Sequence, residues 1–518
     1  MNNHTYDALF IGAGHNSLVC AAYLARDGKK IGVFEKNNFV GGASATSEIF
    51  PNYRSDLGAS AHTFIHLTPI VQDLSLSDYG LEYIDVDPFY FAPFPDGSYL
   101  TLWRSVERTC DEIARFSTED AVAYRRFCDR WLPFARLVAD LMMTSPAPGA
   151  MIKAISHATR TYRGSLGIYL HQLRWSMHDF LAKNFRSEKV KACLGWISAQ
   201  VGLPPNQPGT AIFVVWQVIY HLCGIKVARG GSGMLAQALV SYIQAHGGTV
   251  QTNHAAKRIL IEDGCAIGID TESGERFQAK TVVSGAHIKT TARLLGDKLP
   301  TGMERRIKSL KMANGSGVVL RIAASGLPQY TACSDLFANR AIQLIAPSTD
   351  YLMTAWDAYK NGERSQRPLL AVMTFSSVDS TRNTGISIWA QYYPYQFAGS
   401  QTWNKETETQ VVQDILDTLA TYAPNIRDVI IESRLHTPRW IEEELGLLNA
   451  DLQHIQVTFD QMFIFRPGLR LSGYRTPIRG LYLTGASTHP GGGITGMPGW
   501  NSARTILADI DQDTVKKR

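Results

Sequence analysis

Apolar positions in the first forty residues change period twice. Tyr6-Asp7-Ala8-Leu9-Phe10-Ile11 is a short, nearly unbroken apolar run of the kind that forms a buried strand, and from His15 to Ala25 the spacing lengthens to that of a helix. Between them stands Gly12-Ala13-Gly14-His15-Asn16-Ser17, and a second apolar run, Ile31-Gly32-Val33-Phe34, ends on Glu35-Lys36. An acid roughly 20 residues beyond such glycines is the arrangement of a dinucleotide-binding unit, where it meets a ribose hydroxyl. Gly12 lets the chain turn, and Gly14 removes the Cβ that would hold the backbone away from a pyrophosphate. The helix that follows aims its N-terminal amides and positive dipole end at that phosphate. Ser17 stands where the fingerprint has its third glycine, and is small enough to keep helix and strand close.

Further along, Gly41-Gly42-Ala43 forms a second glycine pair suited to backbone approach to the same diphosphate. Small and polar residues cluster from Phe50 to Leu67. His62 lies among them, more in keeping with a structural hydrogen-bonding role than with a group facing a cofactor ring. Alternating runs Tyr83–Val86 and Tyr99–Trp103, broken by Pro95-Asp96-Gly97, begin a second domain. Arg229-Gly230-Gly231-Ser232-Gly233 then opens an amphipathic helix from Met234 to Ala245, closed by Gly247-Gly248. Strands at Thr249–Thr252, Ala256–Ile261 and Ala266–Ile269 follow, the last two joined by a hairpin turn at Glu262-Asp263-Gly264-Cys265. Gln278 to Gly285 reads as an exposed edge leading into a buried strand. With no second fingerprint here, the segment completes the first sheet, and Ala256 is a candidate cofactor contact.

At the C-terminal end Gly480–Ser487 is a strand that closes on Gly485. His489-Pro490-Gly491-Gly492-Gly493-Ile494-Thr495-Gly496-Met497-Pro498-Gly499 is a glycine-rich loop, and Trp500–Asp509 a helix. Bare amides at a helix start stabilise negative charge, which a flavin ring develops near N1 and O2 on reduction. The two glycine pairs and this loop therefore describe FAD better than a nicotinamide. The expected cofactor contacts are Gly12, Ala13, Gly14, Asn16, Ser17, Glu35, Lys36, Gly42, Ala43, Ala256, Gly485, Gly492, Gly493 and Ile494. The domain reading is discontinuous: residues 1–80, 225–288 and 475–518 hold the cofactor, and 81–224 with 289–474 hold the substrate. The aromatics Trp356, Trp389, Tyr392, Tyr393, Tyr395, Phe397, Trp403 and Trp440 either line a tunnel for a long apolar substrate or form plain core.

Composition narrows the classes. A chain of 518 residues, 45% hydrophobic, is large enough for more than one core. Net charge is only +5 and no Lys/Arg run occurs, so nucleic acid is not an expected partner. Seven scattered cysteines without a C-x-x-C pair fit free thiols in a reducing compartment, with neither a disulfide framework nor a metal site. With no basic leader pattern and no apolar run of spanning length, the expected location is cytoplasmic, soluble or peripheral to a membrane. Between Asp140 and Asp179 there is no acidic residue, yet Lys153, Arg160, Arg163 and Arg174 are interleaved with large apolar side chains. Residues 141–178 therefore read either as helices lying on an anionic membrane or as core helices with a solvated basic edge. Nothing in the sequence speaks to oligomeric state.

Taken together, the two ends resemble the phytoene desaturase-like FAD oxidoreductases, and more closely the CrtO-type β-carotene ketolases. The resemblance rests on Gly12-Ala13-Gly14-His15-Asn16, Tyr79-Gly80-Leu81-Glu82-Tyr83, Arg104–Cys110, Gly326-Leu327-Pro328, Tyr422-Ala423-Pro424-Asn425, Phe459-Asp460-Gln461-Met462 and the run from Leu481 to Arg504. It implies an α/β fold: a Rossmann-type FAD-binding domain of the glutathione reductase/amine oxidase kind with a discontinuous α+β substrate domain. It also implies non-covalent FAD and a carotenoid-like polyene drawn from a membrane, with carotenoid ketolation or desaturation by hydride abstraction from an allylic carbon. Ser17, Ala61, Asn449-Ala450-Asp451 and Gly493 depart from the family pattern. His62 and His489 are the candidate catalytic side chains, and no paired His-rich boxes suggest a di-iron centre. A flavin amine oxidase-like or other non-carotenoid oxidoreductase, and a flavoprotein scaffold without turnover, remain the alternatives.

Overall fold

The computed structural model describes residues 5–146, 148–161 and 166–516. Two seven-stranded sheets organise it. The first runs in the order Ala256–Glu262, Cys265–Thr271, Arg276–Ser284, Thr5–Ile11, Ile31–Phe34, Thr249–Gln251, with Leu481–Leu483 also paired to Arg276–Ser284. Its centre is parallel, and the strands at 5–11 and 31–34 are apolar at successive positions because helices cover both faces. The helices His15–Arg26, Met234–Ala245 and Met497–Lys516 pack together on one face, with Leu18, Val19, Leu235, Leu239, Ala503 and Ile506 fully buried between them. The hairpin at 256–271 and its pairing with 276–284 are antiparallel.

The order corrects one expectation. Residues 276–284 are not an edge: they lie between 5–11 on one side and, in succession along their length, 265–271 and 481–483 on the other. Polar Gln278 and Lys280 give the segment the look of an exposed edge, but its neighbours come from the two ends of the chain.

The second sheet runs Ile430–His436, Gly317–Ala324, Gly385–Gln391, Leu369–Thr374, Ile342–Ile345, Tyr90–Pro93, Tyr99–Leu102. One face packs on the helix Lys405–Ala420 through Val318, Leu320, Ile322, Ile386, Ile388, Val411 and Ile415. The other meets a layer of helices that includes Thr118–Met143, Glu188–Ala199 and Ile212–Cys223. Where the chain passes between the two sheets, Tyr83–Val86 pairs antiparallel with Ile225–Ala228.

Most of the aromatics singled out in 289–474 turn out to be core. Trp356 packs with Tyr359 and Tyr392, and Tyr392 and Tyr393 are fully buried with hydroxyls bonded to Leu203 O and Ser365 O. Trp403 packs on Phe397 and donates to Pro394 O. The acid-free stretch forms helices Pro148–Thr161 and Leu166–Gln172. Met151 is buried, while Ile152, Lys153 and Arg160 are exposed; Arg163 lies outside the described residues. No helix of the described residues is long and apolar enough to cross a membrane.

Candidate functional site

The cofactor end is backbone packed on backbone. Gly12 turns with φ +89°, and Gly41 N–H donates to Ala13 O at 2.8 Å, which lays the second glycine pair on the first. A Cβ on Gly42 would meet the Gly14 Cα at 3.5 Å, and a Cβ on Gly14 would meet nothing within 4 Å, so Gly14 borders open space. The helix His15–Arg26 starts on Gly14 without a side-chain cap, leaving amides for an anion. Glu35 is buried; its Oε2 accepts from Ala13 N–H at 2.7 Å and its Oε1 from Asn37 N–H at 3.0 Å. Each oxygen keeps a lone pair for a ligand hydroxyl. His254 N–H donates to Glu35 O at 2.7 Å, which brings the strand beginning at Ala256 beside this acid. Lys36 departs from expectation: its ammonium donates to Glu443 O at 2.7 Å, tying down the end of the helix Pro438–Leu445.

Ser17 is accommodated by a glycine elsewhere. A Cβ on Gly285 would stand 1.7 Å from Ser17 Oγ, so the close approach of strand and helix rests on Gly285. Gly485 leans on Gly285 O in turn, and Gly499 on Asn16 O, where added Cβ atoms would come within 2.7 Å and 2.1 Å. Through these contacts the starts of two helices, at His15 and Met497, converge on one place with the positive ends of both dipoles. Buried oxygens there have no protein partner: Asn16 Oδ1, Thr484 Oγ1 and Asn501 Oδ1. An uncapped helix start, glycines bordering open space and orphaned polar atoms fit a dinucleotide with a pyrophosphate and a flavin ring. When bound, FAD supplies the capacity to accept a hydride.

The glycine loop is buried except at Pro490, Gly492 and Gly493; Gly493, at φ +81°, is exposed. Arg466, invisible to sequence reasoning, fixes the loop from behind. It is fully buried and donates only to main-chain carbonyls, those of Ala486, Ile455, Gln461 and Gln453. Its Nε lies 3.4 Å from where a Gly491 Cβ would stand. Burial lowers its pKa to about 10 against the opposing field of Asp451, so it stays charged at neutral pH. Around it, burial pushes His287 and His489 down to about 4 and His454 well below its ordinary value.

The two candidate histidines differ. His62 has both ring nitrogens engaged, Nδ1 with Tyr83 Oη at 2.9 Å and Nε2 with Ser232 Oγ at 2.7 Å, and burial pushes it down to about 3, so its place is structural. His489 Nε2 donates to Leu141 O at 3.1 Å, which leaves Nδ1 as an acceptor, buried and without a partner. Beside the exposed Gly493 the wall is aromatic: Phe64 lies 3.7 Å from a built Gly493 Cβ and packs edge-on to Trp216 at 5.3 Å. Ala43 packs in a cluster with Trp389, Tyr395 and Trp440. Phe64 and Trp216 escape a reading of the sequence, because single aromatics carry no spacing. Among the described residues no group of three potential metal ligands occurs.

Comparison with known proteins agrees with this geometry. The chain is 29% identical to the rat pyridine nucleotide-disulfide oxidoreductase domain-containing protein 2, over 98% of this chain and 94% of that one. It is 26% identical to a limonene dehydrogenase component from Castellaniella defragrans, over 97% and 95% of the two chains. With the neurosporene-forming phytoene desaturase of Cereibacter sphaeroides identity is 25%, over 99% and 95%. A solved putrescine oxidase variant shares the fold, with a TM-score of 0.63 at 13% identity over 99% of this chain and 100% of that one. The pattern of the flavin containing amine oxidoreductases matches residues 18–506. With that match across almost its whole length, and with phytoene desaturases among its relatives, the chain belongs to the flavin containing amine oxidoreductase family and uses FAD.

Proposed function

We propose that this FAD-dependent oxidoreductase removes hydride from a long apolar polyene, in a carotenoid desaturation or ketolation. The observation that carries the reading is the aromatic wall of Phe64 and Trp216 beside the exposed Gly493, which offers hydrocarbon rather than ion pairs to whatever meets the cofactor. Two relatives point the same way, since their names place hydrocarbons, phytoene and limonene, as substrates. A conjugated chain delocalises the cation left when an allylic hydride departs. Loss of a neighbouring proton then gives a new double bond. Addition of water and proton loss give an alcohol instead; once an external electron acceptor has reoxidised the flavin, a second hydride removal with loss of the hydroxyl proton gives a ketone. Of the two candidate side chains, His489 is assigned as the proton acceptor through its unpartnered Nδ1. The substrate's negligible solubility in water requires contact with a bilayer, and the exposed Ile152, Lys153 and Arg160 of the acid-free stretch are the first elements of that contact.

The test is anaerobic stopped flow. Bleaching of the bound flavin by phytoene or β-carotene in detergent, with none by putrescine, is the expected result. Bleaching by the amine alone assigns an amine oxidase, and bleaching by neither, with FAD retained, assigns a scaffold without turnover. Pigment analysis of a carotene-making host expressing the chain separates a new ketone from a new double bond.

A further inference from the structure

A row of apolar contacts leads from the flavin loop to the surface. Phe64, beside Gly493, packs on Trp216; Trp216 packs edge-on to Phe213 at 5.1 Å; and Phe213 lines a groove with Leu203, Ile212, Val457, Phe459 and Met462. At the outer lip Phe459 is 58% exposed and lies over Gly209, where a Cβ would come 2.5 Å from its ring. Phe465 at 42% and Leu469 at 67% continue the lip. Of the seven large apolar side chains exposed among the described residues, three thus fall between 459 and 469. Scattered single apolar residues need no explanation, but a run of them at the mouth of an apolar groove marks a contact surface.

The acid-free stretch borders the same opening at both ends. Gly209 and Ala211 N–H donate to Trp175 O at 3.0 and 3.2 Å, while Leu141 O holds His489, whose ring lies 5.7 Å from that of Phe463. Along that stretch Ile152 is 63% exposed, and Lys153, Arg160 and Arg174 are exposed as well. Beyond the lip, Arg306 donates to Pro467 O and Phe465 O and holds its shape, and Arg305 and Arg470 are exposed. Of the acids nearby, Asp460 pairs with Lys311 and Glu304 with Lys308, and the exposed Asp140 and Asp179 are outnumbered by Lys153, Arg160, Arg174, Arg305 and Arg470. Exposed apolar side chains flanked by unmatched cations are complementary to one kind of surface, a bilayer with anionic headgroups.

We propose that residues 148–161, 166–175 and 457–470 form one face that rests on an anionic bilayer, and that the row Phe459–Phe213–Trp216–Phe64 is the passage by which an apolar chain moves from the bilayer to the flavin loop. The passage rests on the apolar-substrate reading; the bilayer face does not. Vesicle co-sedimentation of the FAD-loaded protein tests the face. Binding should be strong to phosphatidylglycerol–phosphatidylcholine vesicles, weak to phosphatidylcholine alone, and reduced by salt. The combined variant Phe459→Ser, Phe465→Ser, Leu469→Ser should lower the partition coefficient at least tenfold with FAD content unchanged, whereas Leu336→Ser, a comparably exposed apolar residue elsewhere, should not. A lip variant that pellets like the unaltered protein overturns the face, as does a lip variant that only converts a dimer to a monomer. Leu203→Trp, which fills the groove, tests the passage: flavin bleaching by vesicle-borne β-carotene should slow at least tenfold while vesicle binding stays the same. An unchanged rate overturns the passage, and vesicle binding without any bleaching by the unaltered protein sinks the polyene reading while leaving the face intact.

Discussion

The two sheets of this molecule are held to their surroundings by different kinds of contact. Around the cofactor sheet, Gly285 meets Ser17, Gly499 meets Asn16 and Gly485 meets Gly285, at distances that exclude a side chain. Around the second sheet, Trp356, Tyr359 and Tyr392 pack ring against ring, and buried Arg321 bridges Leu57 O, Ser387 and His436. Backbone-to-backbone contact admits one residue type and no repacking. Ring-to-ring contact admits many, since a core tolerates substitution at constant volume. The first kind suits a cofactor whose shape is fixed, and the second a cavity whose lining sets what enters.

Arg466→Met would break this contrast most violently, because the cofactor end depends on one side chain there. Four carbonyls lose their donors, and a buried unsatisfied group costs about 1–3 kcal/mol each. Loss of several kcal/mol in chemical denaturation, with FAD released, is expected. Stability unchanged within error would show that water replaces the guanidinium.

Two glycines sharpen the comparison next. Gly285→Val drives a side chain into Ser17, a cost at or above the upper end of the ~1–3 kcal/mol typical of overpacking, so the fold itself should weaken. Gly14→Val places its side chain in open space and should leave FAD-free protein as stable as before while abolishing FAD retention. Thermal unfolding of the apoprotein beside heat-released FAD separates the two; identical behaviour would mean the open space beside Gly14 is not the cofactor's. Glu35→Gln keeps the shape and removes one charge, so FAD affinity should fall by the value of a charge-assisted bond, about 1.5–3 kcal/mol, read by flavin titration.

The same contrast explains what the sequence discloses. Gly12, Gly14, Glu35 and the run from Gly485 to Gly499 are legible because only glycine, or only an acid at that spacing, serves there. The strand at 276–284 reads as an edge in the sequence because its inner neighbours, 5–11 and 481–483, are distant in the chain. Arg466 stays hidden because its partners are main-chain carbonyls, which have no letter in the sequence. His62 is an ambiguous single histidine until Tyr83 and Ser232 occupy both nitrogens. The substrate end is legible only as aromatic richness, which does not distinguish Tyr392 in the core from Phe64 beside the loop.

The smallest effect concerns protons. His287 and His489 are buried and neutral in the folded protein, with pKa values near 4 imposed by burial. In the unfolded chain each titrates near its ordinary value of about 6.5. Below that pH the unfolded state takes up protons that the folded state refuses, so stability is complete above about 6.5 and falls as the pH drops toward 4. At pH 5.5, one unit below the unfolded value, each such histidine contributes a loss of about 1.4 kcal/mol. Asp56 acts only at lower pH: burial opposes its ionisation, but Arg382, Thr46 and Ser232 together hold its pKa below the usual value; Asp451, raised by burial, is the opposite case. Urea unfolding of the apoprotein at pH 7.5 and 5.5 should therefore show a clear loss of midpoint stability. His489→Gln, which can still donate to Leu141 O, should shrink that pH difference by about 1.4 kcal/mol, the share of a single histidine. A pH difference that His489→Gln leaves untouched would mean that His489 is charged in the folded protein, and its Nδ1 would then be no proton acceptor.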